Sequence, residues 1–285
     1  MPVLVPTSLD DAVSMLVDAP DALVLAGGTD AMVEINMGHR QPPTRVIAVN
    51  RVAELRSWTF QPETATVRIG AAVTYAELME PPLADLVPAL AQAARTVGSP
   101  QIRHAGTLGG NLGTCSPAGD GLPVLAALDA VVHLAGPAGE RSMPIAEFMV
   151  GVKRNARRPD ELIAGVTLPV LDGYQGYTKV GVRNAMVIAL ATACIAVDGP
   201  GRSVRLAIGS VATTILRCGD AEAVAAAEVD FTMRTASAAT VVRFGELAAA
   251  ASRPIDDHRA TADYRHHAIS VLSSRLLRRA FPNGS

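Results

Sequence analysis

The 285-residue chain is long enough for about two domains. At that size it buries roughly 75% of its unfolded surface, so it needs no metal or disulfide staple. Hydrophobic residues make up 49% and charged residues 18%, the profile of a globular core rather than a disordered chain. A formal charge of −2 with acids and bases intermixed, and only 4% aromatics, exclude a nucleic-acid binder, which needs a basic face or a base-stacking platform.

The N-terminus, Met1-Pro-Val-Leu-Val-Pro6, has neither the basic region nor the long apolar stretch of a signal peptide. Ser8 is placed to cap an amphipathic helix beginning near Asp10-Asp11. Ala22–Ala26 is a compact apolar run that reads as a buried strand stopping at Gly27-Gly28. A second strand covers Thr44–Val49, and Thr66–Val73 alternates as a half-exposed strand does. Tyr75–Met79 and Leu86–Val97 favour helix. Gly98–Asp120 is the least regular and most glycine-rich stretch. Gly121–Ala130 resumes as helix, with Asp120 as its cap, and Val131–Ala135 and Leu162–Leu168 are further strands.

Composition shifts over Pro169–Gly176, which sets a domain boundary after residue 172, giving units 1–172 and 173–285. Beyond it Tyr177–Arg183, Met186–Val197 and Val204–Val211 follow one another with short connections, as an antiparallel meander does. The longest apolar run, Ala185–Val197, is too short to span a bilayer. Ala221–Ala227 and Thr235–Ala251 read as helices. A terminal helix over Ala262–Ala280 lines up Ile269, Leu272 and Leu276, with Arg265, Arg275 and Arg279 expected in water. Strands and helices mix without strict βαβ alternation, so the fold class is α+β. A soluble, cytoplasmic protein is expected.

Two segments carry chemistry. Leu25-Ala-Gly-Gly-Thr-Asp-Ala-Met32 ends a strand, and Arg103-His-Ala-Gly-Thr-Leu-Gly-Gly-Asn111 lies in the irregular stretch. Converging main-chain N–H groups hold a diphosphate, and only glycine lets the backbone approach that closely. Thr29, Thr107 and Asn111 add side-chain donors. No GxGxxG opens a helix with an acid after it, and no GxxxxGK[ST] occurs, so neither a Rossmann nor a P-loop site is supported. On chemistry alone the two loops are either a phosphate cradle or a pair of turns.

At these residues the sequence resembles the flavoproteins of the molybdenum hydroxylases, the family of the xanthine dehydrogenase FAD portion and the aerobic carbon monoxide dehydrogenase medium subunit. Ala26–Asp30 and Val97–Asn111 look like its paired flavin motifs. The likeness continues through Ser116–Asp120, Pro123–Asp129, Tyr177–Arg183 and Asp257–Arg265, in the family's order over almost the whole chain. The resemblance implies a two-lobed FAD-binding domain of the vanillyl-alcohol-oxidase/PCMH type, then a small domain with a three-stranded antiparallel sheet and helices. It implies FAD contacts from Leu25, Ala26, Gly27, Gly28, Thr29, Asp30, Ala31 and Met32, and from Thr107, Leu108, Gly109, Gly110 and Asn111. Val97, Asp120, Leu168 and Lys179 are further implied contacts. One departure is Thr29-Asp30 where many relatives have His-Ser; an acid beside a diphosphate is unexpected, so Asp30 is read as capping the following segment.

Blander roles stand beside these. Asp120 equally suits a plain N-cap, and Lys179 a solvated strand face. Arg183 is expected to pair with an acid, His104 to lie on the surface, and Cys115 to act as a buried small hydrophobe. His266-His267 lacks HExxH spacing, so no metal site is expected. Cys115, Cys194 and Cys218 are too scattered for an iron–sulfur cluster, and no catalytic triad is visible. The resemblance therefore implies an electron-transfer subunit. A large partner would hold the molybdenum cofactor and a small one the [2Fe-2S] clusters, in a heterotrimer or a dimer of heterotrimers. Substrate and acceptor (NAD+, oxygen, quinone or another) are not written in this chain. The alternatives are a self-sufficient flavin oxidase or reductase, with Tyr75, Tyr174 or Tyr177 near the flavin, and a non-catalytic small-molecule-binding module.

Overall fold

The computed structural model describes residues 2–283. The first helix, α1 (Leu9–Asp18), begins where expected: the Ser8 hydroxyl accepts a hydrogen bond from the Asp11 N–H at 3.2 Å, satisfying one of the first turn's orphan donors. Strands β1 (Val3–Leu4) and β2 (Leu23–Leu25) flank β3 (Val46–Ala48), each parallel to it. The Ala22–Ala26 run is half-buried rather than buried, because in a three-stranded sheet only the middle strand has a neighbour on both sides. A short helix, α2 (Ala31–Asn36), follows the first glycine loop.

A second lobe is built on an antiparallel sheet of β4 (Trp58–Gln61), β5 (Thr66–Gly70), β6 (Val131–Gly136), β7 (Gly139–Pro144) and, two short strands later, β10 (Leu162–Pro169). The order is β4-β5-β10-β6-β7. Edge strands β4 and β7 carry no sequence signal; β7 reads Gly-Glu-Arg-Ser-Met-Pro and alternates between exposed and half-buried positions. Between β5 and β6 run α3 (Leu83–Leu86), α4 (Pro88–Arg95), α5 (Pro100–Ala105), α6 (Leu108–Thr114) and α7 (Leu122–Ala127). The helix expected over Leu86–Val97 is split, since Pro88 starts α4 and cannot donate back into α3. Tyr75–Met79 shortens to a 3-10 turn at Glu77–Met79.

Gly98–Asp120 is more regular than expected. Ser99 caps α5, accepting from the Ile102 N–H at 3.4 Å, and Thr107 caps α6, accepting from the Gly110 N–H at 3.0 Å. Those caps offset the poor helix propensity of Gly109, Gly110 and Gly113. After β7 come α8 (Ile145–Phe148) and a hairpin of β8 (Met149–Gly151) and β9 (Arg154–Asn155).

The C-terminal meander forms as expected from β11 (Gln175–Val180), β12 (Ala191–Asp198) and β13 (Ser203–Gly209), extended by a two-residue strand, β14 (Leu216–Arg217). The apolar run in β12 is continuous because both faces of the strand are covered. Cys194 and Ala196 join the core of the five-stranded lobe, whereas Ala191, Ala193, Ile195 and Val197 join a second core under α9 (Gly219–Glu228), α10 (Ala238–Ala251) and α11 (Ala262–Ala280). The first of these cores therefore extends across residue 172.

Ile269, Leu272 and Leu276 are buried along one stripe of α11, and Arg275 and Arg279 are exposed. Arg265 is not in water: it is 5% exposed, donates to the Leu190 and Ser210 carbonyls, and makes a bidentate pair with Asp257 at 2.9 Å. A guanidinium satisfies four acceptors that an aliphatic residue on that stripe would strand.

Candidate functional site

The first glycine loop leaves β2 at the edge of the N-terminal sheet and is pressed against the end of α5. At Gly27 a Cβ would overlap the carbonyl oxygen of Ala105, so only glycine lets the two backbones meet. Gly28 has φ +71°, the left-handed region glycine adopts without strain. Among the described residues, the N–H groups of Gly27, Gly28, Thr29, Asp30 and Ala31 have no hydrogen-bond acceptor. Five successive amides without an acceptor at a strand-to-helix turn are donors available to an anion. Asp30 stands at the N-cap position of α2 but does not cap it; its carboxylate instead accepts from Thr114 Oγ1 at 2.9 Å, which turns it onto α6.

The second loop is adjacent to the first, since Ala105 and Gly106 precede Thr107 and a Cβ on Gly106 would lie 3.4 Å from Thr29 Oγ1. Its amides, however, are already engaged. Leu108 donates to Val73 O, Gly109 to Ala71 O, Gly110 to Thr107 Oγ1 and Asn111 to Thr107 O, all at 2.8–3.1 Å. The segment read from sequence as a loop is the capped first turn of α6. The Asn111 Oδ1 accepts from the Gly121 N–H at 3.2 Å, which fixes the side-chain amide. Gly109 is packed against Ala71, with Cβ 2.5 Å and O 2.6 Å from where its own Cβ would be. Gly110 is different: it is exposed, and an added Cβ would meet only Thr107 Oγ1, at 3.1 Å. Packing does not demand glycine there, while close approach of a ligand would.

From these loops a chain of contacts reaches Lys179. Tyr75 donates its N–H to Gly106 O, and Ala76 to Arg103 O, both at 3.0 Å. The Arg103 guanidinium donates to the carbonyls of Val97 and Gly98 at 3.0 and 3.1 Å, fixing the turn after α4. The neighbouring carbonyl, Thr96 O, accepts from Lys179 Nζ at 3.3 Å, and Asp120 Oδ2 accepts from it at 2.8 Å. Tyr177 donates its hydroxyl to the other carboxylate oxygen at 2.7 Å. Asp120 is thus not the cap of α7, whose N-cap is Gly121 with no side-chain bond; its carboxylate is spent on Lys179 and Tyr177.

Nor is Lys179 on a solvated face: its side chain is 8% exposed, because β11 packs onto α4. Burial pushes the Asp120 carboxyl up, against the lowering effect of Lys179 and Tyr177. Burial likewise pushes the Tyr177 and Tyr75 phenols well above their ordinary value, with the Asp120 carboxylate adding to both. Lys179 and Thr96 line a cleft of about 170 Å³ with Val180, Gly181, Arg183, Asn184, Ala185 and Val187. A larger groove, about 640 Å³, lies between α1 and the β6–β7 hairpin and contains none of the expected site residues.

A run of contacts links the first loop and the start of α6, through Arg103, Val97 and Thr96, to Lys179 and Asp120. Leu168 is not brought to an open surface: that side chain is fully buried in β10, in register with Val67. Arg183 pairs with no acid and donates to the Ala185 and Met186 carbonyls, closing its own turn. His104 is exposed, and His266 Nδ1 lies 3.0 Å from Ser252 Oγ. Among the described residues no group of three or more His, Cys, Asp or Glu gathers to hold a metal, and no helix is long and apolar enough to cross a membrane. All three cysteines are free and buried. Of the tyrosines offered to an oxidase reading, Tyr75 and Tyr177 are buried and Tyr174 is half-buried against the C-terminal core. That Tyr177 shares the Asp120 carboxylate with Lys179 left no sequence motif, although their i, i+2 spacing in a strand puts both on one face. Thr96 acts through its carbonyl and leaves no side-chain signal.

Comparison with known proteins gives the family and the fold. The family model described as the FAD binding domain in molybdopterin dehydrogenase matches residues 1–171, and the CO dehydrogenase flavoprotein C-terminal domain matches residues 176–280. The putative xanthine dehydrogenase FAD-binding subunit XdhB of Escherichia coli K12 is 30% identical over 280 residues, covering 96% of this chain and 93% of that protein. The carbon monoxide dehydrogenase medium chain of Hydrogenophaga pseudoflava is 29% identical over 282 residues, with 96% and 93% coverage. A solved carbon monoxide dehydrogenase from the same organism, lacking the Mo-pyranopterin moiety, superimposes with a TM-score of 0.90 at 28% identity, covering 99% of this chain and 97% of that one.

Proposed function

From the premise that the chain belongs to the family of FAD-binding domains of molybdopterin dehydrogenases, we propose that it is the electron-transfer subunit of a molybdenum hydroxylase. It is an FAD-dependent oxidoreductase subunit. On the proposed reading it takes electrons from iron–sulfur clusters on a small partner, which are reduced in turn by a large molybdenum-cofactor subunit, and delivers them to an external acceptor. The assembly is a heterotrimer or a dimer of heterotrimers in the cytoplasm. We also propose a division after residue 172, into an FAD-binding unit and a C-terminal flavoprotein unit; the family-model limits support it.

The observation that carries this reading is the row of free amides from Gly27 to Ala31, held beside Ala105 and Gly106. The donor set suits a neutral clamp on a diphosphate: main-chain N–H groups from the first loop, and the open Gly110 face of α6 rather than its amides. Leu25 through Met32 form one wall and Thr107 through Asn111 the other. Val97, Asp120 and Lys179 stand along the same run of contacts, while Leu168 supports the sheet from within. When bound, FAD supplies the redox chemistry of the subunit. The protein's part is to bind, orient and exclude water, and to place the Lys179 ammonium where it favours an electron-rich ring. Tyr75 and Tyr177 are both buried with their phenols held well above their ordinary value, so neither stands ready as an acid or base on a separate substrate, which weighs against a self-sufficient oxidase built on them.

The test is to purify the full chain, reconstitute it with FAD, and assay flavin content and hydroxylation. One flavin per chain, no hydroxylation of xanthine, aldehydes or carbon monoxide by the chain alone, and recovery with two redox subunits from its native host are expected. A folded chain that takes up no flavin overturns the reading.

A further inference from the structure

Resting on the proposed FAD site, we infer that Tyr177 and Asp120 are positioning residues that set how much of the Lys179 positive charge the cofactor cleft receives. An ammonium has three N–H donors. One goes to Asp120 Oδ2 at 2.8 Å and a second to Thr96 O at 3.3 Å, and among the described residues the third has no acceptor. Lys179 lines the cleft of about 170 Å³, and on this inference that third donor goes to the group that occupies it.

Asp120 alone would nearly cancel the lysine charge, since the two groups touch in a dry setting: their side chains are 9% and 8% exposed. Tyr177 prevents full cancellation. Its hydroxyl donates to Asp120 Oδ1 at 2.7 Å and draws negative charge to the far oxygen of the carboxylate. The phenol reaches this position by spacing: Tyr177 and Lys179 point to the same side of β11, while Gln92 Oε1 on α4 accepts from the Tyr177 N–H at 2.8 Å and fixes that strand end. The other charged or titratable groups near Tyr177 are the Cys194 thiol on β12 and the Asp120 carboxylate itself. The triad thus spans the two halves of the chain, with Asp120 from the turn before α7 and its two partners from β11.

The signs follow from electrostatics. Reduction of the flavin adds negative charge, so a larger net positive field raises its midpoint potential. Asp120→Asn removes the counter-charge and should raise the potential. Tyr177→Phe leaves the full carboxylate charge facing Lys179 and should lower it. Lys179→Met should lower it further, and Lys179→Arg should restore most of the loss. Spectroelectrochemical titration of the FAD-loaded full chain measures all four against the parent. Flavin content and the melting temperature of each flavin-free chain, measured first, separate the failure modes. If the parent binds no FAD, the site reading itself fails. If the parent binds FAD and the Asp120→Asn and Tyr177→Phe shifts do not have opposite signs, the triad is merely structural and the inference is overturned. A folded Tyr177→Phe chain that cannot hold FAD also overturns it, because Tyr177 would then be a binding residue. Should Tyr177→Phe fail to fold, the near-isosteric Asp120→Asn decides: an unchanged or lowered potential refutes the inference.

Discussion

Gly110→Ala separates what the second glycine segment does for folding from what it does for a cofactor. Gly110 is an exposed residue in the first turn of α6, and a new Cβ there meets only Thr107 Oγ1 at 3.1 Å. A hydroxyl yields by a few tenths of an ångström at little cost. Replacing glycine by alanine in a helix gains up to about 1 kcal/mol, less near a terminus. Stability should therefore lie between unchanged and about 1 kcal/mol higher, a rise in Tm of at most ~3 °C for a chain of this size. The methyl group occupies the face on which the diphosphate is proposed to lie, so FAD affinity should fall about 10- to 100-fold, or ~1.4–2.8 kcal/mol.

Thermal melts of the flavin-free chain and flavin-fluorescence titration read the two effects separately. Unchanged affinity at preserved stability would refute the placement of the cofactor against α6. Gly109→Ala cannot serve the same purpose. Its Cβ would stand 2.5 Å from Ala71 Cβ and 2.6 Å from Ala71 O, so lost flavin would only report a disturbed fold.

Gly27→Ala drives a Cβ into the Ala105 carbonyl, and it should cost about 2 kcal/mol or more while abolishing flavin uptake; a normal melt with normal uptake would contradict the loop–helix docking. Arg265→Met leaves the Leu190 and Ser210 carbonyls without that donor and the Asp257 carboxylate with only local partners such as the Arg259 and Ala260 N–H groups, and urea unfolding should show a loss of about 1–3 kcal/mol. Burial pushes the Asp257 carboxyl up, but hydrogen bonds from the Arg259 and Ala260 N–H groups and from Arg265 outweigh it and hold the group down to about 2. A depressed folded-state value means that this stabilisation is complete above about pH 5 and is lost as pH falls through roughly 4 to 2. Melts over that range should slope less steeply in Asp257→Asn, and an identical slope would contradict the assignment. Burial also pushes up all three thiols, that of Cys218 to about 12, so Ellman's reagent should find essentially no fast thiol in the native chain and all three in urea.

Local rules carried much of the fold. Ser8 capped α1, the meander was legible from three apolar segments with short connections, and the Ile269–Leu272–Leu276 stripe faced the core, because each depends on neighbours within one or two turns. The glycine loops and Lys179 were visible as residues. What escaped was the use made of them. The amides of Leu108 to Asn111 were spent on Val73, Ala71 and Thr107, the acid after the second loop held Lys179 and Tyr177 instead of capping a helix, and Arg265 lay buried on a helix whose pattern put it in water.

By itself, then, the sequence determined many of the helices and strands, since caps and periodicity are local properties, whereas the need for glycine at Gly27 and Gly109 came from Ala105 and Ala71 across the fold. Only the tertiary structure decided which donors remain free and which charges meet. Those outcomes depend on partners from 55 to 85 residues away, as in the Arg265–Ser210, Tyr177–Asp120 and Tyr177–Gln92 contacts, and a hydrogen-bonding group's availability is fixed only once every competing acceptor has been placed around it.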